Sequence, residues 1–339
     1  MLSAAPGPKP VCGVGRFKVF RYGLALVALH FVNPEAHAQS YPSRPVQIVV
    51  PLAAGGAADT IARATARRLS EMWNQQVIVE NKSGANTQIG ATQVSKSAPD
   101  GHTLLVSAET TFVVNPYLYS KLSYDPGKDF VTVSGLAIVN QLLLVHPSIP
   151  AQTVQDLIAL AKEKPHSVTF GTCGVGSAGH LNMELFQAMA GVQMRAVHYR
   201  GGAPALTDLI GGHIDSLVIS VGQAQGPVDA GQVRALAAGS KQRLEKYPKL
   251  PTVSESGVPG YESVSYFGMV APAGTPREIV LKINADVQRI MSDPRFKSEV
   301  LAKNHFDPII GSPEEFDAYM KGDARKWEKI IKDANLTVD

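Results

Sequence analysis

Cysteine is nearly absent from these 339 residues. Cys12 and Cys173 are the only two, and Cys12 lies in an N-terminal segment that reads as a removable leader, so the remaining chain has no pair for an internal disulfide. Stability must come from core burial, for which 45% hydrophobic composition over about 300 residues suffices, at a length suggesting two domains. An excess of one charge sign is also missing. Four of the 32 Lys+Arg and one of the 29 Asp+Glu fall within residues 1–38, leaving 28 of each. A balanced chain offers no electrostatic footprint for nucleic acid or for an anionic membrane surface. No run beyond residue 38 is long and apolar enough to read as a spanning helix. The nine histidines form no HExxH pattern and no Cys/His cluster, so neither a metal site nor a cofactor is expected.

What is present begins with a targeting signal. Lys9, Arg16, Lys18 and Arg21 precede an apolar run over 22–32, which gives way to Ala36-His37-Ala38, a small-x-small cleavage signature. Residues 1–38 read as a secretory signal peptide cut after Ala38, placing the mature chain free in the periplasm. The apolar run is about half the ~20 residues of a spanning helix, and Cys12 precedes it, whereas a lipoprotein cysteine would follow it.

Apolar, β-rich runs alternate with helical spacing through the rest of the chain, which predicts an α/β fold with mostly parallel sheets. Strands are expected at 46–50, 77–80 and 103–106, with helices over 59–73 and from the Asn81-Lys82-Ser83-Gly84 turn to 97. The long apolar run 131–145 reads as one strand passing between two bodies, and 263–271 as the return. This gives lobe 1 as 39–140 with 264–339, lobe 2 as 141–263, and a two-strand hinge. In the second body Thr153, with Asp156 three residues on, is expected to cap a helix. Strands follow at 168–170, 194–197, 216–220 and 233–238, with helices at 180–190 and 204–210. Three C-terminal helices, 276–291, 294–304 and 313–334, each open on a proline.

Two segments place a glycine-rich loop between a buried strand and a helix start: Pro51-Leu-Ala-Ala-Gly-Gly-Ala-Ala-Asp59 and Gly171-Thr-Cys-Gly-Val-Gly-Ser-Ala-Gly-His180. The first N–H groups of a helix lack intrahelical acceptors, the macrodipole adds about half a positive charge, and glycine admits a ligand to the backbone. One loop in each lobe implies a ligand with an anionic group at each end. The Gly174-Val-Gly-Ser-Ala-Gly179 run also fits a dinucleotide fingerprint, but residues 196–202 supply no acid for a ribose. A nucleophile elbow fails because Val175 stands where Ser177 or Cys173 would need glycine. Cys173 with His180 is the remaining nucleophile–base pairing, and packing is the commoner role for such residues.

Taken together, Tyr41-Pro-Ser-Arg-Pro45, the 51–59 loop, Val79-Glu-Asn-Lys-Ser-Gly84, Ala98-Pro-Asp-Gly101, Asn115-Pro116, Gly176-Ser177 with His180-Leu181, Tyr199-Arg-Gly-Gly-Ala-Pro-Ala205, Gly211-Gly-His-Ile-Asp215, Pro251-Thr252 and Ala271-Pro-Ala-Gly-Thr-Pro276 resemble the Bug (TctC-type) receptors of tripartite tricarboxylate transporters. The resemblance covers essentially all of the mature chain. It implies a two-lobed, Venus-flytrap periplasmic binding protein that captures a small carboxylate without a cofactor and hands it to a large and a small integral-membrane subunit. It also implies that backbone amides, hydroxyls and water in the two loops hold the ligand; a monomer is expected. The ligand-binding candidates are Leu52, Ala53, Ala54, Gly55 and Gly56 in the first loop and Gly174, Gly176, Ser177, Ala178 and His180 in the second. Ser107, Glu109, Tyr199 and Asp215 complete the set. Leu52, Ala53 and Ala54 replace the middle of the family's usual Pro-Phe-Pro-Pro-Gly-Gly. Glu109 reads as a solvated loop charge or, if it faces the cleft, as a partner for a ligand amino group. Phe112 reads as core or as a stacking partner. The ligand stays open among dicarboxylates, tricarboxylates, acidic amino acids and aromatic acids. The competing functions are a periplasmic sensor for a signalling kinase and a small secreted hydrolase.

Overall fold

The computed structural model describes residues 41–338 together with Gly7 and Gly13; the rest of the 1–38 segment, and with it the leader reading, lies outside the described residues. Alternation of strand and helix sets the first half of the chain: β1 (Val46–Val50), α1 (Ala57–Trp73), β2 (Val77–Asn81), α2 (Gln88–Ser95) and β3 (Thr103–Ala108). β1 pairs in parallel with both β2 and β3. A π-turn over Thr110–Val114 then runs into the short α3 (Asn115–Leu118), which the sequence pattern does not announce.

The apolar run that follows is a single 16-residue strand, β4 (Phe130–Val145). The second half is α4 (Val154–Glu163), β5 (Thr169–Thr172), α5 (Ala178–Ala190), β6 (Arg195–His198), α6 (Gly202–Ile210), β7 (Ser216–Ser220), α7 (Val221–Asp229) and β8 (Arg234–Ala238). The expected Thr153 cap on α4 is a complete capping box, the Thr153 hydroxyl accepting from the Asp156 N–H and the Asp156 carboxylate accepting from the Thr153 N–H. The chain returns through β9 (Val264–Pro272) and ends in α8 (Arg277–Ser292), α9 (Pro294–Phe296), a π-turn (Lys297–Leu301), α10 (Ala302–Asn304), β10 (Phe306–Pro308) and α11 (Pro313–Asp333).

The strand order is β2-β1-β3-β9-β4-β7-β5-β6, with β8 and β10 also on β4. Residues 130–140 of β4 pair with β9, and residues 141–145 pair with β7. One strand therefore belongs to both halves of the two-lobed α/β fold. The sheet is mixed rather than mostly parallel. β1, β2 and β3 run parallel, as do β5, β6 and β7, but every pairing of β4 and β9 is antiparallel. A strand that leaves one body and enters the next joins a neighbour directly instead of through a crossover helix, and such neighbours meet antiparallel.

Two polar residues interrupt β4 at the point where it changes neighbours. Asn140 donates to Asp307 (2.5 Å), and Gln141 donates to the Ser265 hydroxyl (2.9 Å) while accepting from Asn182 of α5 (3.3 Å). Both are nearly buried, so these bonds offset the desolvation of their amides. An apolar cluster extends across this boundary. It contains Val49 and Leu105 from the first half and Phe170, Leu181 and Phe186 from the second, joined through Phe112, Leu118 and the α11 residues Phe316, Met320 and Trp327. Phe112 is thus core.

Candidate ligand-binding cleft

The first glycine loop leaves β1 at Pro51 and enters α1 at its cap, Gly56. Gly55 takes a left-handed φ of +79°, which directs its N–H at the Asp59 carboxylate one turn into the helix (2.9 Å). Burial works to raise the Asp59 carboxyl, but hydrogen bonds from Arg63, the Gly55 N–H and Asn81 outweigh it and hold the group below the usual carboxylate range. Asp59 therefore stays ionised and ion-paired to Arg63 (2.9 Å), and it occupies one loop amide from below. The opening amides of α1 still lack intrahelical acceptors. Asn81 donates to the Leu52 carbonyl (3.1 Å) and anchors the loop on its other side.

The second loop is built around His180. Its Nδ1 accepts from the Gly176 N–H (3.1 Å), which places the ring proton on Nε2, facing Glu184 at 3.5 Å. The buried ring stacks on Phe170 and meets His198 edge-on. Ser177 caps α5, its oxygen accepting from the His180 N–H (3.3 Å), so its hydroxyl proton remains free to donate outward. Gly176 has a φ of +72°, and a Cβ there would lie 2.3 Å from Leu118; no larger residue fits.

A third helix start joins these two, unforeseen from the sequence. β7 passes directly into α7, with Ser220 at the N-cap position and its hydroxyl donating to Gln223 Oε1 (3.2 Å) rather than capping a backbone amide. The N-termini of α1, α5 and α7 converge on one cavity of about 540 Å³. Gly55, Gly56, Ala57 and Thr60 line it from α1; Cys173, Ala178 and Gly179 from the second loop and α5; Ser220, Gly222 and Gln223 from α7. Gln141 and Ser265 close it at the strand switch, Val139, Phe267 and Phe306 give it an apolar wall, and Lys303 and Asn304 of α10 enter from the C-terminal segment.

Of the candidates read from sequence, Gly55, Gly56 and Ala178 line this cavity. Leu52, Ala53, Ala54, Gly174, Gly176 and Ser177 stand in the two loops and His180 in the first turn of α5, and none of them is among its lining residues. Ser107 is buried, bonded to Thr111 (2.6 Å), which bonds on to Thr87 (2.8 Å). The Tyr199 hydroxyl donates to Asp208 (2.7 Å). Asp215 accepts from the N–H and hydroxyl of Thr169 (2.7 and 2.8 Å), at the opposite end of β5 from the glycine loop. Glu109 is not a solvated charge: it is 3% exposed and accepts from the Tyr266 N–H (3.1 Å). Burial pushes its carboxyl up to about 7; the like charge of Asp323 adds to this, against hydrogen bonds from backbone N–H groups and Ser265. Burial also pushes the Cys173 thiol up, and both nitrogens of His180 face other partners, so the geometry does not assemble a nucleophile and base.

The functional residues that sequence reasoning missed are those of α7 and α10. Ser220-Val-Gly-Gln223 has the S-x-x-Q spacing of a helix start and could have been found. Nothing local marks Lys303, which reaches the cleft only through the packing of the C-terminal segment beside β4.

Comparison with known proteins accords with this architecture. A UPF0065 protein from the tcbD-tcbE intergenic region of a Pseudomonas species is 34% identical over 333 residues, covering 97% of each chain. The R. palustris protein Rpa4515, solved with adipate, superposes with a TM-score of 0.78 at 36% identity, covering 88% of this chain and all of that one. MatC from Rhodopseudomonas palustris, solved with malate, superposes with a TM-score of 0.72 at 29% identity over 86% of this chain and all of that one. No helix among the described residues is long and apolar enough to cross a membrane. Residues 61–336 match the model of the tripartite tricarboxylate transporter family receptor, and the chain belongs to that family.

Proposed function

We propose that this protein is a periplasmic solute receptor that closes two lobes, 39–140 with 264–339 and 141–263, around a small carboxylate and delivers it to the membrane subunits of a tripartite transporter. It acts as a monomer and carries out no chemistry. The observation that carries this reading is the convergence of three helix N-termini on one cavity whose lining, among the described residues, contains no acidic side chain. Each N-terminus contributes about half a positive charge and several unpaired amide donors. Such a cavity favours an anion held by neutral donors. The ligands of two relatives, adipate and malate, support the same class.

The test is a thermal-shift screen of refolded, ligand-stripped protein against di- and tricarboxylates, acidic amino acids and aromatic acids. A ligand at a hundred times its Kd stabilises the folded state by about 2.7 kcal/mol. A panel in which no carboxylate raises the melting temperature refutes the reading.

A further inference from the structure

We propose that Lys303 reads a second carboxylate on the ligand, so that the cleft selects dianions over monoanions and over acids that also carry an ammonium group. The inference rests on the receptor reading above and goes further in naming the residue that sets ligand charge. Lys303 is the one charged side chain lining the cavity among the described residues. No carboxylate pairs with it there, whereas Lys241 and Lys246 have partners. An unpaired ammonium over a cavity already facing three helix N-termini concentrates positive charge, and the one anion in the first turns of these helices, Asp59, is matched by its own partner Arg63. With about half a charge from each helix start and one from the lysine, the site carries roughly +2.5, which a dianion balances and a monoanion does not.

The placement supports two separate grips. The glycine loops approach from α1 and α5, whereas α10 enters beside β4, where Phe306 pairs with Val139, and the Asn304 carbonyl lies against Gly222 at the start of α7. The same cavity is lined by the apolar side chains of Val139, Phe267 and Phe306, suited to a hydrocarbon spacer, aliphatic or aromatic. Two buried carboxylates stand nearby, Asp59 turned onto the Gly55 N–H and Arg63 and Glu109 onto the Tyr266 N–H; neither lines the cavity, so a ligand ammonium finds no unpaired anionic partner there and meets Lys303 instead.

The experiment uses matched acids on the mature protein, measured by calorimetry: adipate against hexanoate, terephthalate against benzoate, and adipate against 2-aminoadipate. In the wild type at least one diacid should bind more than about tenfold tighter than its monoacid, the lower end of what a charge-assisted contact gives because Lys303 is exposed and screened. Lys303→Gln should weaken diacid binding more than monoacid binding and so remove most of that preference, and Lys303→Arg should retain it. 2-Aminoadipate should bind more weakly than adipate. An unchanged diacid preference in Lys303→Gln overturns the proposal, as does an equal loss for both members of a pair or tighter binding of 2-aminoadipate. Failure of the wild type to bind any of these acids would instead remove the receptor reading on which the proposal stands.

Discussion

Replacing Glu109 by glutamine should flatten part of the pH dependence of stability. In the folded protein burial raises this carboxyl from an ordinary value of 4.5 to about 7. The folded state therefore holds a proton that the unfolded state releases, and stability falls as pH rises between these two values. Below 4.5 the contribution is fully present, and above about 7 it is gone. A difference of roughly 2.5 pKa units at 1.36 kcal/mol each corresponds to about 3 kcal/mol across the window. Glutamine keeps the acceptor for the Tyr266 N–H and carries no charge at any pH. Urea unfolding of wild type and Glu109→Gln at pH 5, 6, 7 and 8 isolates the term, because every other titrating group cancels in the difference. The two should converge at pH 5 relative to pH 8, where the variant should be the more stable by up to about 3 kcal/mol. Parallel profiles would mean that Glu109 is ionised and compensated in the fold, which would refute the burial argument.

Gly56→Asp should abolish most carboxylate affinity in a folded protein, since it adds bulk 3.3 Å from the Ala53 carbonyl and a negative charge at the α1 start; near-native calorimetric affinity would remove the first loop from the site. Ser177→Ala should weaken binding by roughly ten- to a hundredfold, and Arg200→Ala by less; a larger loss in Arg200→Ala would replace neutral donors with direct ion pairing. A saturating ligand should reduce the radius of gyration in solution scattering as the lobes close about residues near Gln141 and Val264, and an unchanged radius from an open, empty sample would argue against closure. N-terminal sequencing of periplasmic protein should begin at or near Gln39, and a secreted chain retaining residues 1–38 would contradict the leader reading.

Much of the architecture was legible because its signals are local. The long apolar run 131–145 announced a single strand, Thr153 with Asp156 announced a helix start, and each glycine loop sat where a strand gave way to a helix. Strand direction was not legible, since β4 and β9 carry the same residue types in either orientation. The cleft was only half legible. Its walls come from segments far apart in the chain, and the side chains that finish it, Gln141, Ser265 and Lys303, are single polar residues in otherwise ordinary contexts. Glu109 was misread for the same reason: its neighbours are small and polar, and the Tyr266 amide that takes it inside lies 157 residues away.

The order in which the sheet is assembled from the chain bears on when the protein can fold. β3 and β4 are not adjacent; β9 lies between them, and the apolar cluster spanning both halves is completed by α11. A nascent chain that has produced only its first 260 residues thus has an open gap in its central sheet and an uncovered core face. Contacts of such long sequence separation form late and slowly, so the native state waits for the last element to be synthesised. If the chain is exported unfolded, as the leader reading proposes, this delay would keep the polypeptide loose until it has crossed the membrane.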